Sequence, residues 1–173
     1  VLFNVYGNYV LIQDLTVKNS NWMGLVLRGH HDQAIRVKSH RNKENGILVT
    51  GDYGLVESCE VYYNCKSNEN FSNTRGNWAS GLSAARHPYY ATIRNNKVWN
   101  NWGEGLSTYE AEHTTIEDNQ IWDNKGNVYI SDTKYTLFQR NLVYVTPGNS
   151  TNNVWQANIG FQDETQNPAS SNN

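Results

Sequence analysis

The chain is short of most features that would place it quickly. It has only two cysteines, Cys59 and Cys65. A bridge between two residues this close makes opposite demands on side-chain direction, so neither a disulfide nor a cysteine metal site is expected. Charge of one sign is also missing. With 14 basic and 16 acidic residues there is no basic field for nucleic acid and no charged tail. No apolar run approaches the length of a membrane span. Hydrophobic residues make up 38%, low for a compact two-layer domain, and no apolar period is long enough for a helix.

What the chain has is a repeat. IRNNKVWNN at 93–101 returns as IEDNQIWDN at 116–124. Aligned on the apolar residue after the polar pair, the register runs Val17, Val37, Val61, Val98, Ile121 and Val143. The steps are about 20 to 24 residues, with one of about 37. Five residues earlier stand Ile12, Asp32, Val56, Ile93, Ile116 and Phe138, apolar in all but one case. After each anchor comes Gly with alternating partners, as in GLVLR at 24, GILVT at 46 and GLSTY at 105. Each unit therefore holds two or three short strands separated by Asn, Gly and Ser turns.

A unit of this size cannot bury an apolar face alone and must stack on its neighbours. The Leu framework of a leucine-rich repeat is absent. Two residues before the anchor, Leu15, Ile35 and Cys59 are followed by Asn96, Asn119 and Asn141. Asn amides one strand spacing apart, about 4.8 Å, can hydrogen-bond to one another inside a coil. A second polar column lies three residues after the anchor: Ser20, His40, Asn64, Asn101, Asn124 and Thr146.

On these rungs, from about residue 5 to 165, the sequence resembles the right-handed parallel β-helix family, the repeat class shared by pectate lyases, alginate lyases, mannuronan epimerases and phage tailspikes. The resemblance implies an all-β solenoid of about six to seven coils. It also implies a polysaccharide partner and a secreted or cell-surface protein. One domain over residues 1–173 is expected, with a loop insertion at about 65–79. The chain starts inside a rung and stops at NPASSNN, so the expectation is a fragment of a longer protein lacking its own caps. End-to-end self-association is the further expectation.

Alternation along GLSTY turns Leu106 and Thr108 inward and Ser107 and Tyr109 outward. Applied to every rung, it places a column of titratable groups on one sheet and the turn after it. The candidate catalytic set is Arg86, His87, Tyr109, Glu110, Glu112 and His113. Around it, Trp78, Trp102, Arg28, Tyr129, Asp132 and Lys134 are candidates for substrate binding, since aromatic faces beside a polar groove suit sugar rings. Trp99 and Trp122 stand at equivalent rung positions and read as a structural stack. RGHHD at 28–32 has metal-ligand types, but adjacent His residues in a turn point apart, so no metal site is assigned.

The resemblance constrains the chemistry. Elimination from a uronate needs a cation to neutralise the carboxylate, a base for the C5 proton and an acid for the leaving oxygen. Arg86 would be the neutraliser, with Ca²⁺ as the other candidate; His87 or His113 the base; Tyr109 the acid. The epimerases' Asp-Pro-His type of motif is missing, and Tyr109 to His113 resembles only its order of residue types. The alternative is a structural or adhesive β-helix without catalysis.

Overall fold

The computed structural model describes residues 1–69, 79–149 and 158–164. Its strands follow one another in coils of three. The first coil is β1 (Phe3–Val5), β2 (Leu11–Gln13) and β3 (Thr16–Lys18); the second is β4 (Leu25–Leu27), β5 (Gln33–Ile35) and β6 (Lys38–His40). The third is β7 (Ile47–Val49), β8 (Leu55–Glu57) and β9 (Glu60–Tyr62), and the fourth β10 (Ser80–Ala85), β11 (Thr92–Arg94) and β12 (Lys97–Trp99). Then come β13 (Glu104–Tyr109), β14 (Thr115–Glu117) and β15 (Gln120–Trp122), followed by β16 (Gly126–Ser131), β17 (Leu137–Gln139) and β18 (Leu142–Tyr144), with β19 (Ile159–Gln162) last. Each strand pairs in parallel with its equivalent in the next coil. The result is one seven-stranded and two six-stranded sheets, a solenoid of about six turns.

The core is a set of stacked columns. In the first sheet Leu25, Ile47, Leu82, Leu106 and Val128 lie one above another, beside Leu27, Val49, Ala84, Thr108 and Ile130. The second sheet contributes Ile12, Ala34, Val56, Ile93 and Ile116, and the third Val17, Ser39, Val61, Val98 and Ile121. All of these are buried.

The register of the second coil differs from the one read off the sequence. Ser39, not Val37, pairs with Val17 and Val61. Ala34 therefore replaces Asp32 in its column, Val37 replaces Ile35, and Asn42 replaces His40. Hydropathy selected Val37, but the fully buried Ser39 is satisfied: its Oγ donates to the Gly46 carbonyl at 2.7 Å and accepts from Asn42 Nδ2 at 3.1 Å. With that correction the columns of the second and third sheets repeat every 22 or 23 residues, apart from one step of 37.

Asparagines close two of the three corners. Between the third and first sheets, Asn42 donates to Asn64, Asn64 to Asn101, and Asn101 to Asn124, at 2.8 to 3.1 Å. Each acceptor Oδ1 also takes a backbone N–H of the preceding coil. Between the second and third sheets, Asn96, Asn119 and Asn141 do the same at 2.9 to 3.0 Å. Buried corner amides that would otherwise cost about 1 to 3 kcal/mol each are thereby paired. The residue opening the first sheet must make room for the amide beneath it. A Cβ on Gly105 would lie 2.4 Å from Asn124 Nδ2. In the sixth coil Asn127 takes this position and becomes the acceptor for Asn124 itself, at 3.0 Å.

Each corner also holds a residue with positive φ. In the turn from the first to the second sheet these are Tyr9, His31, Tyr53, Tyr90, His113 and Tyr135, with φ of 55 to 60°. That conformation costs about 1 to 3 kcal/mol per non-glycine residue. Here it aims six rings along one line, stacked with centroids 4.5 to 5.1 Å apart. A second stack runs His40, Tyr62, Trp99, Trp122 and Tyr144. Trp99 and Trp122 are 5.0 Å apart within it, as their equivalent rung positions led us to expect.

Asn119→Leu leaves Asn96 and Asn141 with unpaired amide groups, and it should lower unfolding stability by about 1 to 3 kcal/mol in a denaturant titration. Gly105→Ala should cost a similar amount through overlap with Asn124.

Candidate functional site

The strands of the first sheet change length along the solenoid. β4 and β7 have three residues, whereas β10, β13 and β16 have six. The widest facet of the molecule therefore covers coils four to six. In coils two and three the same outer face is an apolar cluster of Met23, Val26 and Leu48, packed with Val1 and Ala85. In coils four to six it is polar: Ser83, Ser107 and Tyr129 stand in register there, with Glu104 at the start of β13.

The far end of this facet carries most of the catalytic candidates. Arg86, Glu110 and Asp132 follow the paired residues Ala85, Tyr109 and Ser131, all with positive φ (70, 52 and 52°). Tyr89, Glu112 and Lys134 are again in register. Between these two points the fourth coil has one residue more than the fifth and sixth, and it makes the room at His87, whose φ is 65°. The bulge pushes His87 outward until Nε2 lies 3.5 Å from Glu110 Oε2, with the imidazole 74% exposed. Arg86 is exposed, and its guanidinium makes no hydrogen bond or ion pair among the described residues. Lys134 Nζ lies 3.7 Å from Glu112 Oε1.

Tyr109 is half-buried on the same face. Its phenol is held above its ordinary pKa by burial, then by the carboxylates of Glu110, Asp132 and Glu164. The Tyr129 hydroxyl donates to Gln162 Oε1 at 2.9 Å and to Glu164. Burial and Glu164 push that phenol well up. Asp132 is buried and accepts from Ser131 Oγ at 2.6 Å and from the Glu164 amide at 3.3 Å.

The structure thus brings together Arg86, His87, Tyr109 and Glu110, with Asp132 and the Glu112–Lys134 pair alongside. Three other candidates stand apart. His113 is in the ring stack, 4.7 Å from Tyr90 and 4.6 Å from Tyr135, so both faces are covered. Arg28 donates to Asn4 Oδ1 at 3.1 Å and lies over Tyr6, three coils from Tyr109, or roughly 14 Å at one strand spacing per coil. Trp102 sits in the turn before β13, at the opposite edge of the facet, 5.8 Å from Tyr63. Trp78 and most of the insertion lie outside the described residues.

Sequence reasoning passed over Glu104. Strict alternation from Leu106 puts it inside, yet it faces out, because the corner at Gly105 resets the alternation. The signal was the Gly that precedes the first apolar residue of sheet one in four successive coils. Glu104 is 5% exposed and accepts from Ser80 Oγ at 2.9 Å. Burial pushes its carboxyl up to about 7. Among the described residues, no group of three or more His, Cys, Asp or Glu is placed to hold a metal ion. Nor is any helix there long and apolar enough to cross a membrane.

Residues 2–166 match the family described as right handed beta helix region, and the chain belongs to that family. No curated protein matches it. Two solved structures share the fold. One is the full-length tailspike protein 2 of Escherichia coli O157:H7 bacteriophage CAB120, with TM-score 0.59 and 9% identity over 77% of this chain and 19% of that one. The other is the pectate lyase Pel9A, with TM-score 0.54 and 14% identity over 92% of this chain and 52% of that one. The chain therefore spans about half the length of the lyase and a fifth of the tailspike protein.

Because the Glu104 carboxyl holds its proton more tightly when folded, its contribution favours the fold at low pH. That contribution should fall as pH rises from about 4.5, its ordinary value, through about 7. The loss is about 3 kcal/mol. Melting temperature followed from pH 4 to 9 should show this slope, and Glu104→Gln should flatten it.

Proposed function

We propose that this β-helix binds a polysaccharide along the outer face of its first sheet and acts on it at the far end of the long strands. The observation that carries the reading is the bulge at His87. A regular coil spends no extra residue there, and this one holds an exposed imidazole beside Glu110, next to the outward phenol of Tyr109 and the guanidinium of Arg86, unpaired among the described residues. A pectate lyase among the structures sharing the fold supports a sugar chain as partner. The substrate class is then an acidic polysaccharide, whose carboxylate gives Arg86 something to neutralise.

The chemistry that fits these groups is elimination. Arg86 draws charge from the uronate carboxylate and so acidifies the C5 proton. His87, oriented by Glu110, takes that proton. The C4–O bond breaks, a C4–C5 double bond forms, and the Tyr109 phenol gives its proton to the leaving oxygen. Burial and three neighbouring carboxylates keep that phenol protonated until the oxygen needs it. Ca²⁺ at the substrate carboxylate would add to the neutralising charge. Such a substrate places the protein outside the cell or on its surface.

A second reading, a structural fibre segment, is favoured by the tailspike neighbour and by the exposed Leu2 and Leu11 in the first coil and Leu137, Leu142 and Phe161 in the last. It requires end-to-end association, seen as concentration-dependent mass in sedimentation.

Mixing the folded protein with alginate, pectate and glycosaminoglycans, with and without Ca²⁺, should raise the ultraviolet absorbance of unsaturated uronides for one of them. Arg86→Ala and His87→Ala should each lower the rate by about 10² or more while circular dichroism is unchanged. Full activity in both variants would remove this site.

A further inference from the structure

Glu104 has no part in the chemistry above, yet it is tied to the same facet. Its Oε2 accepts from Ser80 Oγ, which lies 2.7 Å from Ser107 Oγ, and that atom is 2.9 Å from Ser83 Oγ. The row alternates between β13 and β10 and ends at Ser83 on β10, and all four residues are at least nine-tenths buried. Its far end reaches the proposed site: Ser107 is two residues before Tyr109 on the same face of β13, and Ser83 is three residues before Arg86 in the chain.

A serine hydroxyl has one hydrogen, so in such a row each hydrogen bond decides the next. With Glu104 ionised, Ser80 donates to it, Ser107 to Ser80 and Ser83 to Ser107. Every hydrogen points toward the carboxylate, and the outer end offers lone pairs. With Glu104 protonated, its own O–H donates to Ser80, the row reverses, and the outer end offers an O–H. No atom is gained or lost besides the proton on Glu104.

The geometry points to Glu104 as a positioning residue of the site, whose protonation state decides whether the serine row offers the bound polysaccharide a donor or an acceptor. The inference rests on the polysaccharide reading. A sugar hydroxyl or carboxylate meets the row directly or through one water. After burial, the Ser80 hydroxyl lowers the proton affinity of Glu104 and Glu164, beyond β19, raises it. Tyr129 on β16 and Cys65, whose thiol is itself pushed well up by burial and then by Glu104, are the other titratable groups that feel its charge. Burial outweighs them and places the reversal at about 7, within reach of ordinary environments.

The experiment has two arms. Calorimetric titration with the polysaccharide that the uronide assay selects, between pH 5 and 9, should show affinity changing about fivefold around neutral pH, the worth of one neutral hydrogen bond. Glu104→Gln and Ser107→Ala should still bind, at a single level without that step; a step that survives in both variants overturns the inference. The second arm needs no ligand: carbon-13 NMR of glutamate-labelled protein should show one carboxyl titrating near neutrality, absent in Glu104→Gln and displaced in Ser107→Ala. A carboxyl that titrates there and is unmoved by Ser107→Ala also overturns it. If no polysaccharide binds at any pH while the carboxyl behaves as described, the functional reading fails and the coupled serine row stands.

Discussion

A primary amide buried in a corner, one strand spacing from the next, is the interaction on which the rest of this molecule depends. Parallel strands three residues long supply few hydrogen bonds each, and every coil has three corners where backbone groups turn away from the sheets. The Asn side chains fill that deficit: Oδ1 takes a backbone N–H from the coil before, and Nδ2 reaches the next Oδ1 and a nearby carbonyl. A corner amide of this kind works only where the chain returns to the same place in the next coil. The constraint produces the repeat of 22 or 23 residues, and the same approach of amide to backbone puts Gly at the start of the first sheet.

A lattice so regular leaves two kinds of freedom. Outward side chains can vary without disturbing the columns, which is how one face passes from the apolar Val26 and Leu48 to the polar Ser83, Ser107 and Tyr129. Length varies in the turns between sheets. The larger departure, the step of 37 residues, follows Asn64 in the corner between the third and first sheets, where the Asn64–Asn101 bond is nonetheless kept; the smaller is the extra residue at His87, in the turn after the first sheet. The first sheet lengthens to six-residue strands from the coil that follows the larger departure. The candidate site occupies the region where the repeat is broken, on a scaffold whose other rungs hold its residues in place.

The two ring stacks bear on how sugars could be met. In both, ring faces are turned to one another along the axis, so the exposed part of each Tyr, His or Trp is an edge. The rings in these two stacks are therefore structural. In the function proposed above, contact with a sugar chain falls to polar groups on the broad facet, with Tyr109 and Tyr129 as aromatic groups among them.

Local pattern carried much of this. The family, the all-β coils, the inward Leu106 and Thr108 and the Trp99–Trp122 stack were legible because each is a periodic property of the chain, and buried columns demand periodicity. The second coil misled because hydropathy cannot see that a buried Ser39 finds two partners. Glu104 was passed over because period-two alternation fails at a corner. The sequence also grouped His113 with His87 as turn residues of successive rungs, whereas the turn geometry sends one ring into a stack and the other out beside Glu110. The sequence by itself determined the repeat, and with it the fold, since stacking needs only that each coil resemble the last. Tertiary structure alone decided which outward groups meet, because residues 22 to 37 apart become neighbours through the pitch of the coil, and side-chain direction at a corner depends on the amide packed beneath it.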